Sequence, residues 1–160
     1  MQVRDIMTQP VRTIDVFATA QEAAATMARY GIGALPVTEN GNLVGIITDR
    51  DLTARCLASG HAPELIPVRV IMTAHPLSVS PTDTVDEAAR TMGDHAIRRL
   101  PVMDRGKPVG MISADDIARF CADDELVSEM MRHIARHTAP PAVHESPSYA
   151  LAQRIEYVDG

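Results

Sequence analysis

The 160 residues carry 21 acidic and 15 basic side chains, a formal net charge of −6, which lacks the basic field that a nucleic-acid or anionic-membrane surface requires. Aromatics at 3%, with no tryptophan, leave few platforms for stacking single-stranded bases. A 46% hydrophobic content supports one good core or two small ones, and with no run near the ~20 apolar residues of a membrane span and no secretory-type N-terminus, the expectation is a cytoplasmic protein.

Val3-Arg4-Asp5-Ile6-Met7-Thr8 opens the chain, and Val68-Arg69-Val70-Ile71-Met72-Thr73 repeats it in register. The chain is a duplication. A short strand is predicted next, over 11–16 in the first copy and 77–80 in the second. Thr19-Ala-Gln-Glu22 and Thr84-Val-Asp-Glu87 then fit a capping box, in which the hydroxyl takes a first-turn N–H and the glutamate reaches back. Ala23, Ala24 and Met27, with counterparts Ala88, Ala89 and Met92, recur at helical spacing and give a narrow face of small residues. These helices are expected to end near Gly31 and His95.

Two strands follow in each copy, 34–38 with 43–48 and 99–103 with 108–113. The turn Glu39-Asn40-Gly41-Asn42 is a strong hairpin signal, and Asp104-Arg105-Gly106-Lys107 repeats it. Pro36 and Pro101 inside the first strand of each hairpin predict an edge or a bulge. Second helices are predicted over 49–59 and 114–122.

Gly45-Ile46-Ile47-Thr48-Asp49-Arg50-Asp51 returns as Gly110-Met111-Ile112-Ser113-Ala114-Asp115-Asp116. In both, a hydroxyl residue closes an apolar strand and an acid follows three positions on, in the first turn of a helix. Backbone N–H groups there suit a phosphate, and a carboxylate accepts hydrogen bonds from sugar hydroxyls. The same pattern also describes two helix N-caps, each stabilising by about 1 kcal/mol. Capping and binding can coexist.

Each copy thus reads β-α-β-β-α, an α/β fold. A unit of roughly 60 residues buries a marginal core, so the two are expected to pack face to face and share one. The organisation expected is 1–64 for the first repeat, 65–122 for the second, and 123–160 for a C-terminal helix and extended tail. Cys56 and Cys121 hold equivalent positions and read as reduced, small apolar residues. His133 and His137 are four apart on a helix, without the acid that a metallohydrolase motif needs, so no metal site is expected. His61, His75, His95 and His144 read as surface residues.

The paired motifs D-I-M-T, L-P-V and G-I-I-T-D-R-D-L, then V-I-M-T, L-P-V and G-M-I-S-A-D-D-I, resemble the cystathionine-β-synthase (CBS) domain pair, or Bateman module, over about residues 1–122. The resemblance implies two repeats about a pseudo-twofold axis, with adenosine-containing ligands such as AMP, ADP, ATP or S-adenosylmethionine bound in the cleft between them. It implies Thr48 and Ser113 at phosphate oxygens and Asp51 and Asp116 on ribose hydroxyls. Backbone around Thr13-Ile14 and Ser78-Val79 would meet the adenine edge, with Ile14, Pro36, Val79 and Pro101 as apolar walls. The sites are unequal: Arg50 in the first motif stands where Asp115 stands in the second, and Arg98 and Arg99 replace Gly33 and Ala34. A guanidinium fork suits phosphate and a carboxylate opposes it, so occupancy of one site, or different ligands in the two, is expected. Arg98 and Arg99 are equally a solvated strand pair.

The resemblance further implies a regulatory module acting on an enzyme or transporter, without cofactor or catalysis. Ala- and Met-rich helix faces, together with the family's dimerisation through these helices, imply a homodimer. The competing reading is an interaction adaptor with empty pockets.

Overall fold

The computed structural model describes residues 1–138. The stretch after Thr138 and the tail Tyr149 to Gly160, with His144, lie outside them. The first unit runs β1 (Ile14–Asp15), α1 (Ala20–Tyr30), β2 (Ala34–Glu39), β3 (Asn42–Thr48) and α2 (Asp49–Asp51), continuing as a π-helical turn over Leu52–Leu57. Then come α3 (Val68–Ile71), β4 (Thr73–Ala74), α4 (Val85–Asp94), β5 (Arg99–Asp104), β6 (Lys107–Ser113), α5 (Ala114–Phe120) and α6 (Asp124–Thr138).

Local chemistry sets most of these boundaries. Glu22 N donates to Thr19 Oγ1 at 3.2 Å while Thr19 N donates to Glu22 Oε2 at 2.7 Å, closing the expected box on α1. Thr84 and Glu87 repeat it on α4 at 3.2 and 2.8 Å. Both hairpins turn through two left-handed residues, Asn40 and Gly41 (φ 51° and 77°) and Arg105 and Gly106 (φ 47° and 77°). Those angles match the right-handed twist of the flanking strands.

Each proline-bearing strand carries a bulge one position after the proline, between Val37 and Thr38 and between Val102 and Met103. Pro101 stands on an edge strand, β5 pairing with β6 alone apart from the Val79 to Val102 bridge. For Pro36 the edge alternative is not realised, because β2 lies between β1 and β3 in the order β1-β2-β3-β4. Pro36 is tolerated there because β1 pairs only with Val37 and Thr38, so no ladder bond is demanded of the imide nitrogen.

Three expectations need correction. The strand over 77–80 reduces to one parallel bridge, Val79 to Val102, since prolines at 76 and 81 leave room for a single ladder step. The helix over 49–59 is a short α-turn followed by a π-turn. Thr53 Oγ1 donates to the Asp49 carbonyl at 3.1 Å, and Ala58 N reaches back five residues to Thr53 O at 2.9 Å. Such back-bonding by threonine bends and loosens a helix.

The third concerns the core, which is two clusters rather than one. Leu35, Val37 and Ile47 pack with Ala20, Ala23 and Met27 of α1, and Val68 and Ile71 of α3 join them. Leu100, Val102 and Ile112 pack with Ala88, Ala89 and Met92 of α4, and here Val3 of the opening segment joins. Each copy's first segment therefore completes the other copy's core. Val3 N donates to Asp83 O at 2.9 Å and Val85 N to Met1 O at 3.1 Å; Val68 N donates to Ala18 O at 2.7 Å. β4 extends the first sheet by pairing with Gly45 and Ile46. Met130 and Ile134 of α6 bury onto the second cluster, covering α4. Cys56 is buried in the first cluster and Cys121 packs at the second; both are free.

Candidate functional site

The interlocking builds a cleft. Thr8 N donates to Met111 O at 2.8 Å and Met111 N to Thr8 O at 3.1 Å, fastening the opening segment beside the second motif. The cavity of about 210 Å³ is lined by Thr8, Pro10, Val11 and Arg12, by Gly31 to Ala34 between α1 and β2, and by Arg99, Met111, Ile112, Ser113, Asp115 and Asp116. Its lining thus combines apolar side chains with hydroxyl, carboxylate and guanidinium groups.

Ser113 and Asp116 sit at the start of α5. Asp116 N donates to Ser113 Oγ at 3.1 Å, and Asp116 Oδ2 accepts from Ser113 N at 2.9 Å and from Ser113 Oγ at 2.6 Å. The capping role is therefore real, and it uses one carboxylate oxygen. Asp116 Oδ1 takes no hydrogen bond or ion pair among the described residues, so it remains an acceptor at the cleft.

Arg99 is half-buried at the cleft wall, and its guanidinium makes no ion pair among the described residues. A Cβ at Gly33 would lie 2.8 Å from Arg99 Nη2 and 2.9 Å from Asp49 Oδ2, so glycine there leaves the space the guanidinium occupies. Arg98 is different: its Nη2 is 3.4 Å from Asp115 Oδ1 in an exposed pair, so the neighbouring cation and anion are engaged with each other. Arg12, also in the lining, stacks 4.2 Å from the Tyr30 ring centroid.

The first motif repeats the cap, with Asp51 N to Thr48 Oγ1 at 3.2 Å and Thr48 N to Asp51 Oδ2 at 2.9 Å. Neither Thr48 nor Asp51 lines the cleft, and Arg50 is exposed outside it. Asp51 Oδ1 is 3.4 Å from Arg55 Nη1.

Of the residues expected at the ligand, the cleft gathers Arg99, Ser113 and Asp116. The expected apolar walls lie elsewhere. Ile14 and Val79 are buried in the two cores because the strand and bridge they belong to turn them inward, and Pro36 and Pro101 are buried beside them. Thr13 lies in a shallow hollow with Arg12 and Tyr30, and Ser78 is exposed. The walls present, Pro10, Val11, Ile32, Ala34 and Ile112, come from different copies. Repetition in sequence identifies equivalent residues, not the exchange of opening segments that makes non-equivalent ones neighbours.

Among the described residues, no group of three or more His, Cys, Asp or Glu could hold a metal ion, and no helix is long and apolar enough to cross a membrane. His133 is half-buried on α6; the side chain of His137 lies outside the described residues.

The CBS domain model matches residues 3–57 and again 68–123. A Bacillus subtilis protein named CBS domain-containing protein YhcV is 39% identical over 133 residues, 83% of this chain and 94% of that protein. The solved structure of a putative signal-transduction protein with CBS domains from Burkholderia ambifaria MC40-6 superposes with a TM-score of 0.71 at 30% identity, over 78% of this chain and 96% of that one. The CBS domain pair of protein MJ0100, solved in complex with 5′-methylthioadenosine and S-adenosyl-L-methionine, has a TM-score of 0.68 at 32% identity, covering 74% of this chain and 94% of its own.

Proposed function

Because the chain belongs to the CBS domain family, we propose that it is a regulatory module binding an adenosine-containing small molecule in the cleft walled by Ser113 and Asp116. The observation that carries this reading is Asp116: one oxygen caps α5 and the other is an unused acceptor at a cavity of mixed apolar and polar lining. In this reading Asp116 Oδ1 accepts from ribose hydroxyls, Ser113 and Arg99 meet the ligand's polar end, and Val11, Ile32 and Ala34 pack on the base. The complex of the MJ0100 pair with S-adenosyl-L-methionine and 5′-methylthioadenosine supports the ligand class. The ligand is a signal to be sensed and not a substrate, and the regulated target is an enzyme or transporter.

Calorimetric titration of ligand-stripped protein with AMP, ATP and S-adenosylmethionine tests it. Binding by at least one, with a raised melting temperature, is expected; a ligand at a hundred times its dissociation constant stabilises by about 2.7 kcal/mol. No heat and no melting shift at millimolar concentrations of all three would reject it. ATP incubated with the protein should stay intact.

One observation favours the adaptor as the second reading. Phe17, Leu65 and Val70 are 61%, 78% and 59% exposed. The counterparts of Phe17 and Val70 in the other copy are the polar Thr82 and Asp5.

We also place a second copy of the chain on α1. Ala24, Ala25 and Ala28 are exposed there, whereas Ala89 and Gly93, at the positions of Ala24 and Ala28, are buried on α4, with Gly93 against Met130 and His133 of α6. The bare face is the one a partner can still reach.

A further inference from the structure

The two motifs align residue for residue in sequence but differ in how their acid is partnered. At the cleft, Thr8 and Asp116 both line the cavity. Their equivalents in the first motif are Thr73 and Asp51, and these two are bridged by one side chain. Arg55 Nη1 is 3.4 Å from Asp51 Oδ1, donates to Thr73 Oγ1 at 3.2 Å, and donates to the Ile71 carbonyl at 3.0 Å. The residue equivalent to Arg55 in the second motif is Phe120, which is 50% exposed and cannot make such a bridge.

We propose that Arg55 is a built-in latch that closes the first motif, so that the module binds one ligand and not two. This rests on the cleft reading above. The guanidinium takes the carboxylate oxygen that a ribose would need and ties the Thr73 hydroxyl to the same group. A ligand entering here would have to displace a three-pronged contact, two prongs of which anchor the segment Ile71 to Thr73. At the second motif no side chain among the described residues holds Asp116 Oδ1 in this way. Asp51 is the better shielded member of the pair, its side chain 13% exposed against 49% for Arg55, so the charge is screened less than in a fully solvated pair.

The test is stoichiometry. Wild type, Arg55→Ala and Arg55→Phe, the last matching the residue at the equivalent position, are titrated separately with AMP and with S-adenosylmethionine. Native mass spectrometry counts bound ligands and circular dichroism confirms the fold. One equivalent per chain in wild type and two in either folded variant is the expected result. In Arg55→Ala combined with Asp116→Ala, one equivalent should remain, now at the first motif. Two equivalents in wild type, or one in both folded variants, would overturn the latch while leaving the cleft reading intact. No binding of either ligand by wild type or variants would overturn the cleft reading, and the latch with it.

Discussion

Asp116 divides its work between two oxygens, and that division separates the effects of removing it. Asp116→Ala loses the carboxylate half of the capping box while the residue-116 N–H still reaches Ser113 Oγ, expected to lower ligand-free stability by about 1 kcal/mol in urea denaturation. It also loses a charge-assisted acceptor, a loss of about 1.5 to 3 kcal/mol that weakens binding by roughly ten- to a hundredfold by calorimetry. A variant that loses stability but keeps its affinity would mean that capping is the carboxylate's whole role. Glu87 gives a residue-scale test in pH. The Thr84 N–H and then its hydroxyl, 2.8 and 2.9 Å from Oε2, hold this exposed carboxylate below the usual glutamate value. Its folded pKa is the lower one, so its contribution is complete above the unfolded value of about 4.3 and fades as pH falls through the folded value. Glu87→Gln should therefore flatten the acid limb of a stability-against-pH curve and leave its slope near neutrality unchanged. Gly110 tests the cleft wall: an added Cβ would lie 2.6 Å from Met7 Sδ and 3.2 Å from Thr8 O. The methionine can swing away but the carbonyl is backbone, so Gly110→Ala should cost about 1 to 3 kcal/mol and loosen the cleft, read as lower stability together with weaker ligand binding.

Among the elements, α6 is the one whose packing partner decides the most. It lays Met130 and Ile134, 2% and 1% exposed, against the second cluster, so Met130→Ala should destabilise by about 2 to 5 kcal/mol, measured by urea midpoint at unchanged m-value. The capping boxes, the two Asn-Gly-like hairpins and the bulges beside Pro36 and Pro101 were all legible in sequence, because each is decided by contacts within a few residues. The π-turn was not, since Thr53 satisfies a helical pattern whether its hydroxyl bonds back to Asp49 or to water. Most of the candidate site, eleven of its fourteen lining residues, was likewise out of reach. Ser113, Asp116 and Arg99 stand out by motif and by comparison between copies. Pro10, Val11 and Ile32 become lining only when the opening segment crosses to the other repeat, a long-range event that no local pattern encodes. Arg55 was concealed for a related reason, its partners Ile71 and Thr73 being sixteen and eighteen residues away.

For the whole molecule, the covered α4 and bare α1 make the two ends unlike despite the duplicated sequence. Light scattering at micromolar concentration is expected to return a dimer mass, and Ala24→Arg or Ala28→Arg on α1 a monomer; a monomeric wild type would remove the second copy from that face. The exchanged opening segments also bear on how the chain is made. Val3 is fully buried against residues contributed by 79–134, and its N–H is bonded to Asp83. A ribosome emits Ile134 long after Val3, so Val3 must wait for residues far downstream before it has anywhere to go. The first repeat meets the same delay on a smaller scale, since Val68 and Ile71 complete its core. A nascent chain stalled at residue 64 should therefore remain protease-sensitive, and protection should arrive in two steps, the first once α3 has emerged and the second only when α6 has.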